Sequence, residues 1–257
     1  MTLSYPLEFV LGPFRLNAHL FFEALGFFLG YRYYLALKQK RVEQISNENR
    51  MWILIAAAFG ALVGSRLVGA LENPHALRAA TIPLLYIYQQ KTILGGLLGG
   101  LLIVELMKVI IGEKESSGDL FVFPLILGMC IGRVGCFSQG IYEATYGLPT
   151  DIAFGMNLGD GLKRHPVSLY EIGFLLILWV ALYQLMKKER LHNGMIFKLF
   201  LIAYCLFRFF LDFLKPHYDW PIGFSTIQIA SSLGLLYYSI ILTKNYLQTK
   251  TLRSSYD

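Results

Sequence analysis

Long apolar runs alternate with short polar breaks along this chain. Crossing the hydrocarbon core of a bilayer takes roughly 20 apolar residues in a helix. Seven segments meet or approach that length, at 18–37, 52–71, 92–112, 119–137, 167–186, 194–213 and 222–243. The pattern therefore predicts seven membrane-spanning helices, the fourth being the shortest. Two connectors are longer than the rest: residues 72–91, and residues 138–166, which read "SQGIYEATYGLPTDIAFGMNLGDGLKRHP". The second is the longest non-helical stretch, rich in Gly, Pro and Asp, and long ordered loops in compact domains tend to carry function. Its "DIAFGMN" segment reads as a short strand at the membrane surface. No internal repeat breaks the chain, so residues 1–257 read as a single domain.

Composition agrees with the pattern. Of 257 residues, 55% are hydrophobic and 16% charged, against about 45–50% and 25% in soluble domains. The fold class is an all-α integral membrane protein. No charged n-region, short apolar core and small-residue cleavage site opens the chain, so no removable signal peptide is expected. The net charge of +6 could point to nucleic acid, but its distribution is that of a membrane topology signal. Lys38, Lys40, Arg41 and Arg50 follow the first segment, Lys108 and Lys114 the third, Lys187, Lys188 and Arg190 the fifth, and Lys244, Lys250 and Arg253 the seventh. The alternate side carries fewer: Arg15, Arg78, Lys91, Lys163, Arg164 and Lys215. Basic residues favour the cytoplasm. The N-terminus is thus expected outside, the C-terminus inside, and loop 138–166 on the extracytoplasmic face. Three cysteines, Cys130, Cys136 and Cys205, form no disulfide framework and no zinc ligand spacing, so no metal is expected.

Ionisable groups inside the apolar segments change the picture. They are Glu23, Arg32, Arg66, Glu105, Arg133, Glu171, Lys198, Arg208 and Asp212. A charge at the bilayer centre costs about 2.5–3.5 kcal/mol on insertion scales, so each needs a partner or a purpose. Arg32 and Lys198 can snorkel from inner ends, and Glu105 can pair with Lys108 three residues on. Arg66, Arg133 and Arg208 resist that account. They lie on three separate segments, at depths the expected topology puts in the outer half or middle. Asp212 shares a helix face with Arg208, and Glu171 stands at the outer end of the fifth segment. Converging arginines repel unless anions lie between them. The guanidinium fork suits phosphate oxygens, so an anionic phospholipid headgroup is the expected ligand, and a buried ion-pair network the alternative. Arg133 sits within "GRVGCFSQG", where Gly132, Gly135 and Gly140 allow backbone to approach a headgroup. Gly95 and Gly96, in "ILGGLLGGLL", allow close approach of either a helix or a ligand.

Six short motifs in order resemble the bacterial prolipoprotein diacylglyceryl transferases. "GRVGCFSQGI" is similar to the family signature Gly-Arg-x-Gly-Asn-Phe-x-Asn-Gly-Glu. "RHPVSLYE", residues 164–171, resembles Arg-His-Pro-x-x-Leu-Tyr-Glu, and "GSRL" at 64–67 resembles the second-helix arginine motif. "LGPFRL" resembles the family's opening, "RFFLDF" at 208–213 its Arg-Phe-x-x-Glu-Phe segment, and "GFSTIQ" its final-helix start. The resemblance implies a multi-pass enzyme of the bacterial cytoplasmic (inner) membrane. It would move a diacylglyceryl group from phosphatidylglycerol to a cysteine thiol in the signal segment of a secreted lipoprotein, releasing glycerol phosphate. It implies no cofactor and no nucleic-acid partner. Arg133 and Arg208 would then stabilise charge on the leaving phosphate, with Arg66 behind them. Gln139, Glu143 and Tyr170 fall among the substrate-binding positions.

The chain departs from the family pattern in places. Leu94 stands where the family has a histidine before Gly-Gly. His19 falls near the first-helix tyrosine. Cys136 and Gln139 replace the two signature asparagines, and Ile141 replaces the glutamate, with Glu143 two positions on. His19, Glu23 and His165 are candidates for relocated proton transfer. Three further readings stay open: a paralogue with a different acceptor or headgroup, with Cys136 as a transient lipid carrier; a non-catalytic phospholipid-binding protein; and a lipid transporter.

Overall fold

The computed structural model describes residues 5–40, 44–188 and 192–254. Arg41 and Arg190, counted above among the basic residues, lie outside them. The chain opens with a hairpin of β1 (Glu8–Leu11) and β2 (Phe14–Asn17), followed by helices α1 (Ala18–Gln39) and α2 (Asn47–Leu71). Two short helices come next, α3 (Pro74–Ala79) and α4 (Pro83–Gln89), then α5 (Ile93–Ile110) and α6 (Val122–Gln139). Short 3-10 turns flank α6 at Asp119–Phe121 and Gly140–Tyr142. A small ladder of β3 (Met156–Asn157) and β4 (Lys163–Arg164) precedes α7 (Val167–Lys188). Helix α8 (Met195–Leu211) ends in a 3-10 turn at Asp212–Leu214, and α9 (Thr226–Ser254) closes the chain.

Each of the seven expected segments falls on a helix. Among the described residues, five helical stretches are long and apolar enough to cross a membrane: 47–71, 93–110, 119–142, 167–188 and 226–244. Large apolar side chains such as Phe27, Val109 and Ile177 face outward on the long helices, as a lipid-facing surface requires.

Several expectations need correction. The connector at 72–91 is not plain loop, because Pro74 and Pro83 each occupy a helix's first turn, where the missing N–H costs nothing. The strand expected over "DIAFGMN" is confined to Met156–Asn157, paired antiparallel with Lys163–Arg164. The all-α description omits the β1–β2 hairpin, whose two-residue turn is Gly12–Pro13 with Gly12 at φ +61°. A turn with a left-handed first residue matches the twist of the flanking strands and needs glycine there.

The described chain falls into two compact units interleaved in sequence. The first comprises residues 1–47, 114–200 and 211–216 and holds the hairpin, α1, α6, α7 and the 138–166 region. In it, α1 packs along α6, and α6 packs against α7. Tyr34 stacks on Phe121 at 4.7 Å and Tyr33 on Trp179 at 5.8 Å between ring centres. The Asp119 carboxylate accepts from the backbone N–H of Gly194 and Phe197, at 2.6 and 2.8 Å. These are orphan donors at the start of α8, so the acid caps that helix from a distant part of the chain.

The second unit comprises residues 48–113, 201–210 and 217–257. Helices α2 and α5 meet over glycine: a Cβ on Gly60 would lie 2.5 Å from the Gly99 carbonyl, and one on Gly95 would lie 2.5 Å from that of Gly64. Lys108 sits 3.5 Å from Glu105, the local pair expected from their spacing. Trp220 Nε1 donates to Thr226 Oγ1 at 2.8 Å, and Thr226 Oγ1 donates to the Leu71 carbonyl at 2.6 Å, tying the start of α9 to the end of α2.

Candidate functional site

The first unit contains an unbroken chain of polar side chains between apolar helices. Arg133, on α6, puts Nε 2.9 Å from Glu171 Oε2 on α7, and both residues are buried. The same guanidinium places Nη1 3.5 Å from Cys136 Sγ, one turn along α6. Cys136 Sγ is 3.6 Å from Glu143 Oε1. The other oxygen of Glu143 lies 2.5 Å from His19 Nδ1 on α1, and His19 Nε2 lies 3.5 Å from Glu23 Oε2. Six expected site residues thus come together: Glu23, His19, Glu143, Cys136, Arg133 and Glu171.

Local structure explains the convergence. Gly135 is where α6 meets the start of α1: a Cβ there would lie 3.2 Å from the His19 carbonyl and 3.2 Å from Phe22 Cβ. Further along, a Cβ on Gly26 would lie 2.9 Å from the Gly128 carbonyl. This close approach sets His19 beside the last turn of α6. Asn17 caps α1 by accepting from the His19 backbone N–H at 2.8 Å, and its Oδ1 also accepts from Gln139 Nε2 at 3.0 Å. One cap thereby fixes the first turn of α1, which carries His19, to the end of α6, which carries Cys136. Gly140 turns the chain out of α6 at φ +57°, and any Cβ there would strike the Leu158 carbonyl and the Tyr5 ring. The turn returns Glu143 toward Cys136. A small cavity opens beside Cys136, lined also by Phe137, Thr145, Tyr146, Pro166 and Ser168.

The remaining expected residues have other surroundings. His165 Nδ1 is 3.2 Å from the Tyr170 hydroxyl. Arg164 binds Asp160 through Nε at 2.8 Å and Nη2 at 2.6 Å, and lies over the Tyr146 ring at 5.2 Å. That guanidinium, with the Leu162 backbone N–H, holds the Asp160 carboxyl below its ordinary range. A Cβ on Gly132 would meet nothing within 4 Å. In the second unit, Arg66 donates to the Gln90 carbonyl at 2.9 Å and covers the Tyr88 ring at 5.1 Å. The close approach at Gly95 and Gly96 is that of α2. Arg208 of the second unit and Asp212 of the first are both buried.

Three of the positions at which the chain departs from the family pattern come together in the first unit. His19, Cys136 and Glu143 occupy one cluster, their ligand atoms all within 4.8 Å of one another. An imidazole, a thiol and a carboxylate there can accept, pass and donate protons, while Arg133 supplies a fixed cation one contact away. Asn17 was not among the candidates from sequence, although an asparagine just before a long apolar run is a helix-start signal.

The family model described as "Prolipoprotein diacylglyceryl transferase" matches residues 6–244. Among the relatives that carry the name phosphatidylglycerol–prolipoprotein diacylglyceryl transferase are those of three bacteria. That of Bordetella parapertussis is 29% identical over 227 residues, 82% of each chain. That of Finegoldia magna is 29% identical over 237 residues, 86% of this chain and 88% of its own. That of Nitrosomonas europaea is 28% identical over 260 residues, 91% of this chain and 89% of its own.

Proposed function

The chain belongs to the prolipoprotein diacylglyceryl transferase family, and on that footing we propose how its own residues carry out the transfer. It is a transferase that moves the diacylglyceryl group of phosphatidylglycerol onto a prolipoprotein. The observation that carries the residue assignment is the polar chain from Glu171 through Arg133, Cys136 and Glu143 to His19.

The acceptor is a cysteine thiol of the prolipoprotein's signal segment. Its sulfur attacks the glyceryl carbon bonded to the phosphate oxygen. A carbon–sulfur bond forms, the carbon–oxygen bond breaks, and its electron pair leaves on glycerol phosphate. Arg133 holds the phosphate and stabilises the charge that grows on it, in surroundings of low dielectric where a fixed cation acts strongly. Glu171 fixes the guanidinium in the orientation this requires. A free thiol titrates near 8.5, so the acceptor must lose its proton to a base. The Glu143–His19 pair takes it, with Glu23 orienting the imidazole. Cys136 lies between cation and base, and the small cavity beside it admits the acceptor sulfur.

The enzyme spans the bacterial cytoplasmic membrane seven times, α1 and α8 joining the five apolar helices. At about 1.5 Å per residue, the 22 residues of α1 reach about 33 Å, enough to cross. The N-terminus and the 138–166 region face outward, as the lysine and arginine distribution favours.

Purified protein in phosphatidylglycerol vesicles, given a lipoprotein signal peptide, is expected to release glycerol phosphate. Retained lipid without release would make the protein a carrier instead. Cys136→Ser is expected to retain turnover, whereas a lipid bound covalently to Cys136 would assign that thiol a transient carrier role.

A further inference from the structure

We propose that His19 Nδ1, Cys136 Sγ and a Glu143 carboxylate oxygen form a three-donor site for a thiophilic divalent cation of the Zn2+ class, with the fourth coordination position open to an incoming thiol. Among the described residues, these three donors come from separate elements, and their ligand atoms lie within 4.8 Å of one another. Zinc binds thiolate, imidazole and carboxylate at about 2.0–2.3 Å in a tetrahedron. Donors around such an ion are separated by about 3–4 Å, and the 3.6 Å between Cys136 Sγ and Glu143 Oε1 fits. The 2.5 Å between His19 Nδ1 and Glu143 is a metal-free ion-pair contact that opens when an ion takes its place between them.

The surroundings provide a second, independent sign. Ligating imidazoles generally give their other ring nitrogen to a carboxylate, which fixes the tautomer. Glu23 Oε2 stands 3.5 Å from His19 Nε2, leaving Nδ1 as the metal donor. The Arg133 guanidinium, 3.5 Å from the sulfur through Nη1, is held by Glu171 at 2.9 Å. On binding, Cys136 gives up its S–H proton and His19 its Nδ1 proton, both to bulk water. Three protein ligands leave one position free, the arrangement of reactive rather than structural zinc. A thiol entering that position loses its proton by coordination. Metal coordination then does what the Glu143–His19 pair does without metal, and this consequence alone rests on the proposed function.

Equilibrium dialysis of the full-length protein in detergent against Zn2+ tests the site without lipid or peptide. One ion per chain is expected, lost in Cys136→Ala and in Glu143→Gln, and retained in Cys130→Ala. Glu23→Gln, which keeps the shape, is expected to weaken binding about 10- to 100-fold. With Co2+ as the probe, the wild-type protein should show a thiolate charge-transfer band that intensifies on adding a cysteine-containing signal peptide and not its serine counterpart. Absence of stoichiometric binding by wild-type protein, or its survival in Cys136→Ala, overturns the metal site. An unchanged Co2+ spectrum with the cysteine peptide overturns the open position. Glycerol phosphate release after chelation is measured in parallel. Release that persists in a protein that binds no Zn2+ sinks the metal site and leaves the transferase assignment standing.

Discussion

The α1/α6 pair and the α2/α5 pair both bring helix backbones together over glycine. At α2/α5 the overlap is the deeper, with the Gly60–Gly99 and Gly64–Gly95 approaches leaving no room for a side chain. What that contact gains is packing, since a membrane offers little hydrophobic force between helices and small residues let dispersion act over a long seam. At α1/α6 the approach through Gly26 and Gly135 is slightly looser, but it delivers ionisable side chains. His19 and Glu23 of α1 stand beside Arg133 and Cys136 of α6, and Glu143 just beyond the helix end closes the set. The same device thus has two uses, and the difference lies in which side chains flank the glycines. One pair is read as scaffold and the other as the reactive centre, and substitutions at the two should separate turnover from stability.

The largest effect is expected at Arg133. Arg133→Gln removes the cation proposed to hold the leaving phosphate and should lower turnover by about 10²–10³ in the folded enzyme. Steady-state glycerol phosphate release at matched folded concentration measures it. Next come the glycines. Gly135→Ala puts a methyl 3.2 Å from the His19 carbonyl, so α1 must shift by a few tenths of an ångström, and turnover should fall more than stability. Gly99→Ala should do the reverse, losing about 1–3 kcal/mol of stability with activity per folded molecule retained. Thermal unfolding in detergent alongside turnover separates the two, and equal behaviour of both variants would erase the contrast between the helix pairs. Arg66→Ala removes a hydrogen bond to the Gln90 carbonyl and the Tyr88 ring contact. It should cost about 1–3 kcal/mol of stability, with less than about a twofold change in turnover.

The smallest effect is expected in the 138–166 region. Arg164 holds the Asp160 carboxyl below its ordinary range. The folded form therefore binds this proton less readily than the unfolded chain. The stability this pair contributes is present above the ordinary carboxylate range and is lost as pH falls through the lowered value. Asp160→Asn should flatten that acid limb and leave neutral-pH turnover unchanged, as the pair lies outside the polar chain that carries the proposed chemistry.

Much of the architecture was legible because lipid imposes a coarse rule: a run of apolar residues long enough to span is a helix. Each of the seven runs falls on a helix, and five of those helices are long and apolar enough to cross a membrane. The α8 end at Leu211 and the α9 start at Thr226 were displaced from expectation, since Pro216, Pro221 and Gly223 interrupt the chain between them. The opening hairpin has strands too short to stand out among long apolar runs, although Gly12–Pro13 is a turn signal. Arg133 and Glu171 stood out as costly charges, and the structure pairs them with each other. The cluster of His19, Cys136 and Glu143 was harder to see. Their separations along the chain match no metal or catalytic spacing, because a turn at Gly140 and a helix contact at Gly135 create the proximity. Asn17 joins Gln139 to the start of α1 for the same reason, through a contact 122 residues apart in sequence.

The central claim is that this cluster, and not the family's third-helix histidine position occupied here by Leu94, removes the acceptor's proton. Glu143→Gln keeps the size of the side chain and its contact with His19 but removes the base. Its rate of glycerol phosphate release from phosphatidylglycerol vesicles, with a lipoprotein signal peptide as acceptor, is expected to fall by about 10² or more while the protein stays folded and lipid-bound. A rate within about twofold of wild type in the folded variant would contradict the account.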